Sequence, residues 1–119
     1  HAGAQYARCV SAAAEGRGER LAAHAYVRYL GDLSGGRILG PLLARSLGLP
    51  AAALTFYEFP GLDDLDAFKS EFRDALNRAG REMIDPAAAV EEAALAFRLN
   101  IAVSEAVQAA LAPAVAPRA

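Results

Sequence analysis

The segment from His24 to Gly36, HAYVRYLGDLSGG, combines the residue types in this chain that are best suited to binding and chemistry. It places three glycines, Gly31, Gly35 and Gly36, within six residues. Each glycine inside a helix costs about 1 kcal/mol relative to alanine, so the three together cost about 3 kcal/mol. One interpretation is a kink that lets two helices cross closely. The other is a bare strip for a flat ligand, because Gly31 and Gly35 are four residues apart and share a helix face.

Asp32 lies beside that strip and follows Arg28 by four residues. The pair is either an ordinary surface ion pair, worth a few tenths of a kcal/mol, or a carboxylate positioned for chemistry. His24 is one of two histidines in the chain. Taken alone, it is better interpreted as a packed or hydrogen-bonded helix residue than as a metal ligand.

A second candidate group combines two cations with aromatic residues. Lys69, which is the only lysine, and Arg73 are four residues apart beside the apolar residues Phe68 and Phe72. They are either solvated charges paired with neighbouring acidic residues, or a clamp for a ligand that carries two carboxylates on an apolar body. Further along, Asn100 interrupts an apolar run, where it either satisfies a backbone carbonyl or holds an ordered water.

The elements that would position these residues are predicted to be helices. The chain has 119 residues, of which 55% are hydrophobic and 30 are alanine, enough for one core and favourable to helix over sheet. We predict an all-α fold with a frayed tail at residues 112–119. We predict a helix at 2–14, then a glycine-bent helix at 19–47 that is stopped by Gly48. An ordered loop follows at 49–61. A third helix is capped by Asp63 or Asp64 and runs to about Ala79, and a fourth is opened by Asp85 and Pro86 and runs to about Leu111.

Composition also excludes several classes of protein. The net charge of −2 offers no basic surface for nucleic acid, and a single cysteine, Cys9, excludes an internal disulfide framework. We expect no membrane association, because no apolar run approaches about 18 residues, and no secretory signal opens the chain. We therefore expect a cytoplasmic protein.

Several segments together resemble the haem oxygenase family. HAYVRYLGDLSGG is similar to the signature of that family's kinked distal helix, and FYEFPG, AFKSEFRDAL and AFRLNI follow in the family's order and spacing. The resemblance extends from about Tyr6 to Leu111. It implies that residues 1–119 form a single, partial domain with a haem oxygenase-like helical bundle and a glycine-kinked distal helix.

The resemblance also implies an activity. The family uses O₂ and electrons from a reductase or ferredoxin to open haem, which is substrate and cofactor at once and contains the iron. The products are biliverdin, carbon monoxide and ferrous iron. The residues that match the family's catalytic network are Asp32, which anchors the water that delivers protons, with Arg28 and Asn100. Those that match its haem-binding positions are Gly31, Gly35 and Gly36 of the distal backbone, Tyr26, Lys69 and Arg73 near the propionates, and Phe97 of the pocket wall.

The chain departs from the family pattern at several places. Val27 stands where threonine is common, and Arg37 replaces the usual glutamine after the glycine pair. The iron-binding histidine of the family lies on a helix upstream, and neither His1 nor His24 matches it, so we assign no metal ligand here. We expect the missing N-terminal helices to cover apolar surface on this chain, or the chain to self-associate. The alternatives are a haem-binding module without turnover and a helical interaction domain that needs a complementary segment.

Overall fold

The computed structural model describes residues 1–111, and all the regular structure within that range is helical, which confirms the all-α prediction. The predicted frayed tail, 112–119, lies outside the described residues. The elements are α1 (Ala2–Ala14), α2 (Glu19–His24), a π-helical segment (Ala25–Leu30), α3 (Gly31–Leu47), a 3₁₀ segment (Ala51–Tyr57), α4 (Leu65–Glu82) and α5 (Pro86–Leu111).

The described chain divides into two compact units. Unit 1 combines residues 1–24 with the described chain from Asp85 onward, and unit 2 contains Ala25–Ile84. The predicted distal segment is continuous in sequence across this division, with α2 in unit 1 and both the π-helical segment and α3 in unit 2.

Local signals at the helix ends behave as predicted. The Asp64 side chain accepts a hydrogen bond from the Ala67 N–H at 3.0 Å and caps α4. Asp85 accepts one from the Ala88 N–H at 3.1 Å, immediately before the helix that Pro86 opens. Gly48 ends α3 with a φ of 62°, a conformation in which glycine avoids the steric penalty of a Cβ. Helix α4 continues to Glu82, beyond the predicted end at Ala79.

The second helix is not interrupted at its glycines. Helix α3 is continuous from Gly31 to Leu47, with Pro41 inside it. The irregular hydrogen bonding lies earlier, in the π-helical segment Ala25–Leu30. Glycine weakens helix propensity but retains its backbone donor, so tertiary packing can keep it helical.

Within unit 2, α3 packs through its glycines against the 3₁₀ segment. Gly36 and Gly40 are buried, and a Cβ added at either would lie 3.4–3.5 Å from the Tyr57 side chain. Tyr57 ends the 3₁₀ segment, which packs on α3 and shows that the predicted loop at 49–61 is partly helical. Phe59, also within 49–61, packs edge-on against Tyr29 with ring centroids 6.4 Å apart, which helps to order this stretch.

Unit 1 is held together by small side chains. Helices α1, α2 and α5 contact one another, and buried alanines at these contacts let the backbones approach closely. The buried apolar residues of this unit are Ala13, Ala23, Ala88, Ala96 and Leu99.

Helix α5 corrects one expectation from the sequence. By length and mean hydropathy alone, its 26 residues are sufficient to cross a membrane, although no apolar run of that kind was expected. This is weak evidence, since a packing helix passes the same test. The buried face of α5 carries Glu92, whose carboxylate is paired with side chains of α2.

Candidate functional site

The glycine strip lies at the start of α3, where Gly31 is exposed and Gly35 is half-buried. A Cβ added at Gly31 would meet no other atom within 4 Å among residues 1–111, and one at Gly35 would only reach Leu39 Cδ1 at 4.0 Å. The fold of the described chain therefore does not require glycine at these two positions. The missing side chains instead leave bare backbone on a face that continues through the exposed Leu39 and Leu42.

Gly36 differs from its two neighbours in the motif. Its Cα faces Tyr57 and Phe59 within unit 2, where an added Cβ would lie 3.5 Å from both rings. The packing of α3 on the loop accounts for glycine here, so its proposed contact with a ligand stays a prediction.

Asp32 and Arg28 form the ion pair that their spacing predicts. Arg28 Nε lies 3.2 Å from Asp32 Oδ2, and the Asp32 side chain is half-buried. Asp32 directly follows Gly31 in the chain and therefore lies at the edge of the glycine strip. Arg28 holds the Asp32 carboxylate there.

The predicted lysine is also brought to the strip. Lys69 Nζ donates a hydrogen bond to Ser34 Oγ at 3.3 Å, and Ser34 directly precedes Gly35. The Lys69 side chain is only 15% exposed and lies 3.8 Å from Asp66 Oδ1. Lys69 thus pairs with an acidic neighbour on its own helix, as one interpretation of the sequence allowed, although the partner is Asp66. The hydrogen bond to Ser34 joins the cation of α4 to α3.

The other predicted residues of unit 2 lie on exposed surface. Arg73 lies one turn beyond Lys69 on α4. Tyr26 is exposed in the π-helical segment. Tyr29 of the same segment is also partly exposed, and its ring packs on Phe68 and Phe72. The aromatic residues beside the lysine thus hold α4 against the π-helical segment.

Asn100 and Phe97 belong to unit 1. Asn100 Nδ2 donates hydrogen bonds to the Ala96 carbonyl and to Tyr6 Oη, both at 2.9 Å. The first is the carbonyl bond that the sequence allowed. Phe97, one turn before Ile101 on α5, is 56% exposed, which is high for a large aromatic side chain.

Tyr6 was not predicted to belong to the site. Besides accepting the bond from Asn100, its ring packs against His24 with centroids 6.0 Å apart. It therefore links α1 to both α2 and α5. Its partners lie 94 and 18 residues away in the chain, so no local pattern marks it.

A buried charged group in unit 1 was also missed. Glu92 accepts hydrogen bonds from His24 Nε2 at 2.9 Å and from Arg20 Nη1 at 3.0 Å. Burial raises the pKa of Glu92, but the bonds and charges of His24 and Arg20 outweigh it, so its pKa is lowered overall. Because an ionised carboxylate only accepts, His24 Nε2 carries the proton of this bond. His24 is thus a hydrogen-bonded helix residue, as predicted from the sequence.

The surface of unit 2 fits a flat molecule with acidic edges. Bare backbone at Gly31 and Gly35 admits a planar face, and the ammonium of Lys69 lies beside it for an anion. Asp32 supplies a carboxylate able to hold a water or a proton next to the same strip. Together these are features that a flat molecule with carboxylate groups would need.

Comparison with known proteins identifies the family. The heme oxygenase family model matches residues 1–106. The Heme oxygenase of Guillardia theta is 48% identical over 84 residues, covering 68% of this chain and 35% of that protein. Heme oxygenase 1 of Gallus gallus is 42% identical over 92 residues, covering 76% and 31%. Heme oxygenase 1 of Synechocystis is 42% identical over 83 residues, covering 70% and 35%.

The chain spans about a third of the length of these curated relatives. No solved structure matches it. The family model nevertheless covers nearly all of the residues that the structure describes, including the glycine strip and both halves of the predicted site. The chain belongs to the haem oxygenase family.

Proposed function

We propose that the protein containing this chain opens haem, using O₂ and electrons from a reductase or ferredoxin, and releases biliverdin, carbon monoxide and ferrous iron. This chain provides the distal surface on which haem lies. The observation that carries the proposal is the strip of Gly31 and Gly35 with the Lys69 ammonium tethered to Ser34 beside it.

The strip sets the distance between the protein and its substrate. Without a Cβ at Gly31 and Gly35, the planar face of haem approaches the backbone of α3 directly. Lys69 exchanges its Ser34 contact for one propionate, and Arg73, one turn further, pairs with the other. Two charge-assisted contacts at one edge fix the rotation of the ring in its plane and therefore which carbon faces the oxygen.

Asp32 positions the water that delivers a proton to the substrate. Arg28 holds its carboxylate at the edge of the strip, where it accepts a hydrogen bond from a water and orients that water toward the substrate. Bound haem supplies the iron that activates O₂ and the carbon that is oxidised. Within unit 1, Asn100 donates a hydrogen bond to Tyr6 and forms a separate polar pair.

The iron requires an axial ligand, which sets its reactivity. The chain covers only about a third of its relatives, and we propose that another segment of the whole protein supplies this ligand. We assign that role to no residue of this chain.

The proposal is tested by alanine at the strip. Gly31→Ala and Gly35→Ala each place a methyl group in open space on an α-helix, so the haem-free protein should become more stable by about 1 kcal/mol. The same methyl groups should weaken haem binding at least about tenfold, which is roughly 1.4 kcal/mol. Haem titration and thermal unfolding measure the two effects in a chimera that joins the N-terminal segment of the Guillardia theta relative to this chain.

Gly80→Ala is the matched control. Gly80 also lies in a helix, α4, and an added Cβ there meets no atom within 4 Å among the described residues. It should stabilise the protein and leave haem affinity unchanged. Equal haem affinity in all three variants and the parent would contradict a haem surface at the strip.

A further inference from the structure

One carboxylate oxygen in unit 2 lies between two cations. Asp66 Oδ1, in the first turn of α4, is 3.1 Å from Arg37 Nη1 of α3 and 3.8 Å from Lys69 Nζ. The guanidinium is the closer partner. Lys69 meanwhile donates to Ser34 Oγ at 3.3 Å, on the same helix as Arg37.

The exposure of the side chains indicates what each contributes. The Asp66 side chain is 77% exposed, so it is free to turn toward either cation, whereas the Lys69 side chain is largely covered. An exposed ion pair of this kind contributes little to stability. Its effect is instead to decide where the Asp66 carboxylate stays.

We propose that Arg37 and Asp66 are positioning residues that set how available the Lys69 ammonium is to a carboxylate of the substrate. Arg37 draws the Asp66 carboxylate toward α3 and keeps it from forming a close pair with Lys69. This inference rests on the proposed function, because it names what tunes the propionate contact of the same site.

Charge balance supports this role. Lys69 and Asp66 alone form a neutral pair, and a substrate carboxylate would then compete with Asp66 for the ammonium. With Arg37 the group of three has a net charge of +1, and the only short ion pair uses Arg37. A neutral residue at position 37 would lack this charge, so the arrangement depends on the combination of Arg37 with Asp66.

The two single substitutions should shift haem affinity in opposite directions. In the chimera, Arg37→Gln releases Asp66 to pair with Lys69 and should weaken haem binding about two- to fivefold. Asp66→Asn frees both cations and should tighten it by a similar factor. In the Asp66→Asn background, Arg37→Gln should have no further effect, because Arg37 acts only through the carboxylate.

The haem titration distinguishes this role from two others. If the pair merely holds α4 on α3, both single variants weaken binding. If Arg37 contacts the substrate itself, Arg37→Gln still weakens binding in the Asp66→Asn background. Either result would overturn the proposal. Haem dimethyl ester, which has no carboxylates, should bind all variants equally, and a variant-dependent affinity for the ester would also overturn it.

A second measurement needs no haem. The rate of acetylation of Lys69 by acetic anhydride, followed by mass spectrometry of its peptide, reports how strongly the amine is paired. Arg37→Gln should slow acetylation about two- to fivefold, and Asp66→Asn should speed it by a similar factor. Unchanged rates overturn the proposal whether or not haem binds. Shifted rates in a protein that binds no haem contradict the proposed function and leave the positioning intact.

Matched controls lie on the same two helices. Arg45→Gln on α3 and Asp74→Asn on α4 remove exposed charges of the same type away from Lys69. Both should leave the acetylation rate of Lys69 and the haem affinity at the parent values. A shift in either control equal to that of the test variants would show a general effect of net charge and overturn the proposal.

Discussion

Asp32 forms an ordinary ion pair with Arg28, but this pair lies beside the glycine strip. Its bond to Arg28 is the ordinary contact of residues four apart on a helix, and by itself it adds a few tenths of a kcal/mol. The neighbouring Gly31 exposes backbone on the same turn, which leaves the carboxylate beside an open surface. The role proposed for Asp32 therefore depends on the absence of a side chain at Gly31.

We predict that Asp32→Ala in the chimera leaves haem affinity within about twofold but lowers biliverdin formation at least about a hundredfold, which is typical of losing a proton-transfer group. The measurements are haem titration and product analysis with reductant and O₂. Asp74→Ala, which removes an exposed carboxylate of α4, should retain full activity. Biliverdin at the normal rate from Asp32→Ala would reduce Asp32 to a salt-bridge partner of Arg28.

The contact between α2 and α5 depends on a buried charge. Glu92 is 5% exposed and is stabilised as a carboxylate by His24 and Arg20 of α2. Because the same partners lower its pKa below the ordinary value of 4.5, Glu92 stabilises the folded state when it is ionised. That stabilisation is fully present above about pH 4.5 and is lost as the pH falls through the lowered folded-state pKa.

We predict that Glu92→Gln lowers the free energy of unfolding of the chimera by about 1–3 kcal/mol at pH 7, since hydrogen bonds to a charged group are replaced by weaker ones. The difference from the parent should shrink as the pH falls below about 4.5, because the parent loses its own carboxylate. Denaturant unfolding at pH 7 and at pH 3.5 measures it. Glu91→Gln changes an exposed neighbour on the same helix and should show little effect at either pH.

Large apolar side chains are exposed on several helices of the described chain. Large apolar residues are exposed on α3 and α5, among them Ile38, Leu42, Leu47, Val90 and Ile101. Each Å² of apolar surface left in water costs about 25 cal/mol. The chain also spans only about a third of the length of its relatives.

We predict that the 119-residue chain on its own self-associates and does not turn haem over. Adding the N-terminal segment of a relative, fused or as a separate peptide, should yield a single assembly with one axial histidine spectrum and biliverdin production. Size-exclusion chromatography and a turnover assay with haem, reductant and O₂ check this. Biliverdin from a monomeric chain alone would show that the iron ligand lies within these residues.

Most helices were predictable because their signals are local. Each signal at a helix end acts within one turn of its own backbone, so its effect is visible in a short stretch of sequence. These signals are Asp64, Asp85 with Pro86, and Gly48. The ion pair of Arg28 and Asp32 follows for the same reason, from helical spacing alone. The family followed from motifs of this local kind.

Contacts between distant residues required the folded structure. Helix α3 stays regular through its glycines because Gly36 and Gly40 pack on Tyr57, a partner that no local pattern predicts. Glu92 meets His24 across 68 residues of chain, and Lys69 reaches Ser34 across 35. Spacing places a residue on one face of its own helix, but the partner of that face depends on how helices pack. The same glycine motif therefore divides into two open positions and one packed position only after the chain has folded.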